Sequence, residues 1–167
     1  MLVCAMNPCP CGFYTDPKKE CRCTPIQIQR YMSKISGPLL DRIDLHLEVP
    51  SLPSTELLTN TQSETSKNIK KRIDEARLLQ QKRLANTSIV ANGHMNHRQI
   101  KEFCALDKEG KKLLKMAIDE LGLSARGFDK ILKVARTIAD LAGSEGIQTE
   151  HLAEAIQYRA LDRNWWG

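Results

Sequence analysis

Four cysteines within fifteen residues, in the pairs Cys9-Pro10-Cys11 and Cys21-Arg22-Cys23, constrain the start of this chain more than any other feature. Four thiolates close a tetrahedral metal site when each pair sits on a turn that bends both sulfurs inward. Pro10 fixes φ between the first two, and Gly12 is free to take positive φ just after them. Three readings are open: Zn²⁺ held by Cys9, Cys11, Cys21 and Cys23; redox-active disulfides; or unligated thiols. The usual zinc spacing is CxxC, so CxC is the less specific form. The opening MLVCAMNPCP lacks the basic and long apolar regions of a secretory signal, which predicts a cytoplasmic protein. A reducing compartment favours ligands over disulfides. Lys18, Lys19 and Arg22 offset the negative charge of such a centre, with a nucleic-acid contact as the second reading.

The flanks carry strand patterns. Leu2 to Met6 is a continuous apolar run, as in a strand covered on both faces of a parallel sheet. It begins at residue 2 with nothing before it to pair with, so the chain is expected to be a piece of something larger. Asn7 follows the strand, where open α/β sheets bind ligands; turn initiation by Asn7-Pro8 is the plainer reading. Thr24-Pro25 starts a helix with Ile28, Tyr31, Met32 and Ile35 on one side, and Gly37-Pro38 stops it. Ile43, Leu45, Leu47 and Val49 then alternate with Asp44, His46 and Glu48, which predicts a strand with one buried face and His46 at the surface. Arg42 stands at its entry beside two acids. By chemistry alone it is half of a surface salt bridge or a catalytic group.

Residues 51–65 are rich in Ser and Thr and read as a linker; helical periodicity dominates afterwards. With 41% apolar and 27% charged residues, the composition suits a soluble, mostly α protein with a small β part. Ile69, Ile73, Ala76 and Leu79 form a stripe on a helix otherwise rich in Lys and Arg, either a solvated basic face or a phosphate-tracking one. Asn96 or His97 opens a brief helix ending near Cys104, a small core residue. A helix follows from Asp107 to Leu121. Ser124 caps the next, with Phe128, Ile131, Leu132, Ala135, Ile138 and Ala142 inward and Arg126, Lys130 and Lys133 on another face. Arg126 sits in the first turn, where the helix dipole disfavours a cation, so it is a candidate for another task. Thr149 is expected to cap the last helix, with Leu152, Ile156 and Ala160 buried and the LDRNWWG tail folded back. The net charge of +5 permits an acidic partner without requiring one. No run of about 18 apolar residues occurs, so no membrane-spanning helix is expected. Neither a GxxxxGK[ST] loop nor an order of residues suited to nucleophilic catalysis is found.

Taken together, AMNPCPCG, the second CxC pair, IQRYMSKISGPLLDRIDLHLEVP, SARGFDKILKVARTIADLAG and the terminal ALDRNWW resemble the C-terminal portion of magnesium-chelatase-like AAA+ proteins of the ComM/YifB type. The resemblance covers nearly the whole chain. It implies the last strands of an AAA+ α/β core with a four-cysteine zinc insertion over 1–50, the linker at 51–65 and a helical lid bundle over 66–167. It places Asn7 at sensor 1, Arg42 at the arginine finger and Arg126 at sensor 2. The cofactors implied are ATP and Mg²⁺, the assembly a ring, a hexamer, and the partner DNA undergoing branch migration. The Walker segments that grip nucleotide are missing, so this fragment alone is expected to lack ATPase activity. Without the resemblance, the alternative is a stand-alone zinc-stabilised helical module for nucleic acid or protein binding.

Overall fold

A computed structural model describes residues 1–50 and 63–159, which fall into two compact units. One comprises Met1–Leu40 and Glu48–Thr61, the other Asp41–Leu47 and Gln62–Gly167. Most of the expected linker and the tail with both tryptophans, including Ala160, lie outside the described residues.

The first unit carries α1 (Pro25–Met32) and α2 (Gly37–Leu40). α1 begins where Thr24-Pro25 predicts. The Thr24 hydroxyl accepts from the Gln27 amide at 3.3 Å while the Gln27 side chain accepts from the Thr24 amide at 2.8 Å, a closed capping box. Ile28, Tyr31, Met32 and Ile35 are half-buried. Gly37-Pro38 opens a short helical turn instead of ending α1, which has already stopped at Met32. Proline in a first turn sacrifices no hydrogen bond.

The second unit holds α3 (Ser66–Arg83), a 3₁₀ turn (Asn92–His94), α4 (His97–Phe103), α5 (Lys108–Leu121), α6 (Ala125–Leu141) and α7 (Thr149–Gln157). α6 is the hub: it packs against α3, the 3₁₀ turn, α4 and α7, and α5 packs on α7. Ser124 starts it, accepting from the Gly127 amide at 3.0 Å. Its end is a Schellman motif. Gly143 takes φ +66°, its amide reaches the Asp140 carbonyl, and the Ser144 amide reaches the Ala139 carbonyl at 2.8 Å. Ile131, Ala135 and Ala139 are fully buried along it, against Leu152 and Ala155 of α7, Ile100, Leu114 and Cys104. Each large aliphatic side chain so enclosed contributes about 1.5–3 kcal/mol. Ala142, expected inward, is exposed beyond the last turn.

Several sequence expectations are corrected. On α3 the buried residues are Ala76 and Gln80, whereas Ile69 and Ile73 are exposed, so the inward face is rotated toward polar groups. Gln148, not Thr149, is the N-cap of α7, and its amide donates to Nδ1 of the buried His151 at 3.0 Å. The described residues contain no β-strand. Leu2 and Val3 are exposed, so the apolar run at the start is not covered on either face within its unit. Over 43–49 neither face is covered as a whole: His46, expected at the surface, is buried, Ile43 is half-buried, and Asp44, Leu45, Leu47, Glu48 and Val49 are exposed. Alternation states which residues share a face; only a neighbour decides which face is covered, and a strand exists only beside a pairing partner. Here the His46 amide instead donates to the Tyr158 carbonyl at 2.8 Å, and the buried Arg159 donates to the Ile43 carbonyl.

Periodicity also gave no sign of a buried polar network. The Asp140 carboxylate, with a fully buried side chain, pairs with Arg83 and with Arg136, the latter at 3.0 Å. Asn92 donates to it at 2.8 Å and to Thr137 at 3.1 Å, and Arg83 reaches the Asn92 side-chain oxygen at 3.2 Å. Arg136 also donates to the Glu145 and Ser144 carbonyls at 2.8 and 2.7 Å. The network joins α3, the 3₁₀ turn, α6 and the loop after it.

Removing the carboxylate strands the buried Arg136 and deprives the half-buried Arg83 of its partner. Asp140→Ala should therefore cost about 3–5 kcal/mol in chemical denaturation. Arg72→Ala, which breaks an exposed 2.6 Å pair with Glu64, should cost less than about 1 kcal/mol. Equal costs for the two would contradict the network's role.

Candidate functional site

In the first unit, the Sγ atoms of Cys9, Cys11, Cys21 and Cys23 all lie within 4.8 Å of one another. The Pro10-containing turn is closed by the Gly12 amide donating to the Cys9 carbonyl at 3.0 Å, with Gly12 at φ +83°. The Tyr14 amide points at Cys9 Sγ at 3.4 Å. Between the pairs, the Asp16 carboxylate accepts from the Lys18 and Lys19 amides at 2.7 and 3.0 Å, turning the chain back, and Lys19 lies 4.8 Å from the Phe13 ring centre. All four are free thiols, so the disulfide reading is not the arrangement seen.

The separations suit a metal. Cys9 and Cys21 are 3.7 Å apart and Cys11 and Cys21 3.6 Å. A tetrahedron with metal–sulfur bonds of about 2.3 Å has edges of about 3.8 Å. Cys9 is fully buried and the other three partly so. Amide donation from Phe13 and then Arg22 lowers the Cys11 thiol to about 6. Desolvation, with its sulfur neighbours, pushes Cys23 up to about 12. Four sulfurs this close do not all ionise unaided; a divalent cation supplies the charge that lets them. The cluster is therefore able to hold a metal ion.

Asn7 lies beside this turn, and a Cβ on Gly12 would meet its side chain at 3.7 Å. That is ordinary contact, so the positive φ, not lack of room, is what calls for glycine there.

Arg42 and Arg126 both belong to the second unit. Arg126, in the first turn of α6, is 57% exposed and pairs with Asp41 at 3.1 Å. Ser124, the α6 cap, donates its hydroxyl to the other oxygen of Asp41 at 2.7 Å. Burial raises the Asp41 carboxyl, but the Ser124 hydroxyl and the Arg126 guanidinium outweigh it and hold the group below its ordinary 3.8. Arg42 is exposed; its carbonyl accepts from Lys130 at 2.7 Å, and Lys130 also pairs with Asp44. The structure thus brings the segments of Arg42 and Arg126 together through two residues, Asp41 and Lys130, not singled out from the sequence as site residues. The signal available was the acid immediately before Arg42 and a lysine one turn beyond Arg126.

The family described as magnesium chelatase, subunit ChlI C-terminal, matches residues 63–159, well over half of the chain. The chain belongs to the magnesium chelatase family. The description magnesium chelatase, subunit ChlI, matches residues 1–57 as well. Among this family's members, the chain is 43% identical to the competence protein ComM of Haemophilus influenzae over 163 residues, 97% of this chain and 31% of that protein. It is 44% identical to the uncharacterized protein YifB of Escherichia coli and 41% identical to YifB of Salmonella typhimurium, with the same shares covered. The chain thus spans about 31% of the length of these curated relatives. Among the described residues, no helix is long and apolar enough to cross a membrane.

Because the folded Asp41 value is depressed, its contribution to stability is present above the unfolded value and lost as pH falls through the folded one. The stability gap between wild type and Asp41→Asn, read by denaturation, should therefore be constant near neutral pH and shrink below about pH 4. A gap that persists in strong acid would contradict the assignment of its charge to this pair.

Proposed function

We propose that this chain is the C-terminal part of a magnesium-chelatase-like AAA+ ATPase that couples ATP binding and hydrolysis to DNA remodelling, as in ComM-type branch migration. The observation that carries the reading is the family match along the chain together with the gathering of the Arg42 and Arg126 segments around Asp41 on one helix end. On this reading, residues 1–50 complete the AAA+ core, 51–65 link, and 66–167 form the lid. The outward faces of Leu2, Val3, Leu45, Leu47 and Val49 support it, because strands that join a larger sheet need apolar surface to cover.

The residue roles follow. Asn7 orients the attacking water; Arg42, exposed on the second unit, reaches the nucleotide of a neighbouring subunit in a ring, a hexamer; Arg126 senses the terminal phosphate in its own or an adjoining site. An arginine in Arg42's role stabilises charge on the transferring phosphoryl group. ATP with Mg²⁺ supplies that group when bound to the family's upstream half. Zn²⁺ is held by Cys9, Cys11, Cys21 and Cys23 as a structural clip. The setting is cytoplasmic, and the basic lid helices are the surface offered to DNA.

The 167-residue chain should show no ATP hydrolysis by itself, and joining it to the upstream half should give turnover. In that longer protein, Arg42→Ala should lower kcat by about 10³-fold or more with nucleotide binding nearly intact. Equal loss of both refutes the finger assignment.

Elemental analysis should find one zinc per chain, lost in Cys9→Ser. Four titratable thiols with no zinc after reducing purification would remove the metal from this account.

A further inference from the structure

The turn of chain around Arg42 is gripped by α6 on both sides. Before Arg42, the Asp41 carboxylate accepts from Ser124 at 2.7 Å and from Arg126 at 3.1 Å. At Arg42 itself, the backbone carbonyl accepts from Lys130 at 2.7 Å, and two residues later Asp44 pairs with the same ammonium. The guanidinium that the proposed function assigns to phosphate is therefore already engaged by an internal anion. Carboxylate and phosphate oxygens are equivalent acceptors for a guanidinium. Arg126 is more than half exposed, so its free edge is open to an incoming anion. Even an anion approaching by that edge brings negative charge beside Asp41, and like charges so placed repel.

We propose that Asp41 is a positioning residue that competes with the nucleotide's terminal phosphate for Arg126, so that phosphate arriving there loosens Asp41 and resets the segment carrying Arg42. The inference rests on the reading of Arg126 as the phosphate-sensing residue and adds the element that transmits its occupancy. Asp41 sits one residue from Arg42, so any displacement of its carboxylate is felt at once in the backbone that aims the finger. Lys130 holds the far side of the same turn and supplies the pivot.

The test uses the longer protein with its nucleotide-binding half. Asp41→Asn keeps the size and the acceptor for Ser124 but removes the competing charge. Binding of ATP, followed with a fluorescent analogue, should tighten, with Kd about two- to fivefold lower, while kcat falls because the Arg42 segment loses its anchor. Tighter binding with slower turnover is the opposite of what general destabilisation gives. In an Arg126→Ala background, Asp41→Asn should leave Kd unchanged. The latch is overturned if Arg126→Ala weakens binding but Asp41→Asn does not tighten it, or if Asp41→Asn acts equally in both backgrounds. Should Arg126→Ala alter neither affinity nor turnover, the assignment of Arg126 itself fails and the latch goes with it. Unchanged helical circular dichroism in each variant identifies the effects as local.

Discussion

Asp140 sits with no solvent contact between two guanidinium groups, and the helical unit is arranged so that this charge is never left alone. A carboxylate in that position is strongly unfavourable unless its acceptor sites are filled, and here Arg83, Arg136 and Asn92 fill them from three separate elements. The demand is geometric as well as energetic. Helix α3 must present Arg83, the 3₁₀ turn must present Asn92, and the loop after α6 must offer the carbonyls that complete Arg136. The apolar contacts of Ile131, Ala135, Ala139 and Leu152 supply the larger share of stabilisation, but they tolerate sliding that the network does not.

That constraint fixes α6, and α6 fixes the candidate site. Its C-terminal half carries Arg136 and Asp140; its first two turns carry Arg126 and Lys130, with Ser124 at the cap. A helix pinned at one end by a buried ion network and through its length by packing presents the opposite end with little freedom. The Asp41 to Asp44 segment is then laid across that end by three side chains rather than by a sheet. The cysteine cluster is built on a different principle, in a unit whose described residues bury few apolar side chains. Turns, amides and one aspartate bring its sulfurs to separations at which a metal ion could be held.

Helix positions were legible because their signals are local. Thr24, Asn96, Asp107 and Ser124 act on amides two or three residues away, and the structure places a cap at each. The mostly α character followed from the same signals. The burial of His46 was not legible, since alternation alone does not say what lies beside a segment, and His46 is the one residue of 43–49 that is buried. Asp140 and Arg136 are not legible in the sequence, because a charge inside an apolar stripe looks like a boundary of the stripe until its partner, 57 residues away at Arg83, is known.

By itself the sequence determined the local chemistry: four cysteines in a short loop, the helix starts and stops, and the motifs that tie the chain to its family. Tertiary structure alone decided which arginines are buried, that His46 is enclosed, and that Asp41 and Lys130 bind the Arg42 segment to α6. The reason is range. Caps and turns act within a few residues, whereas an ion pair or a buried face exists only once distant segments have been brought together, and no single segment encodes its partner.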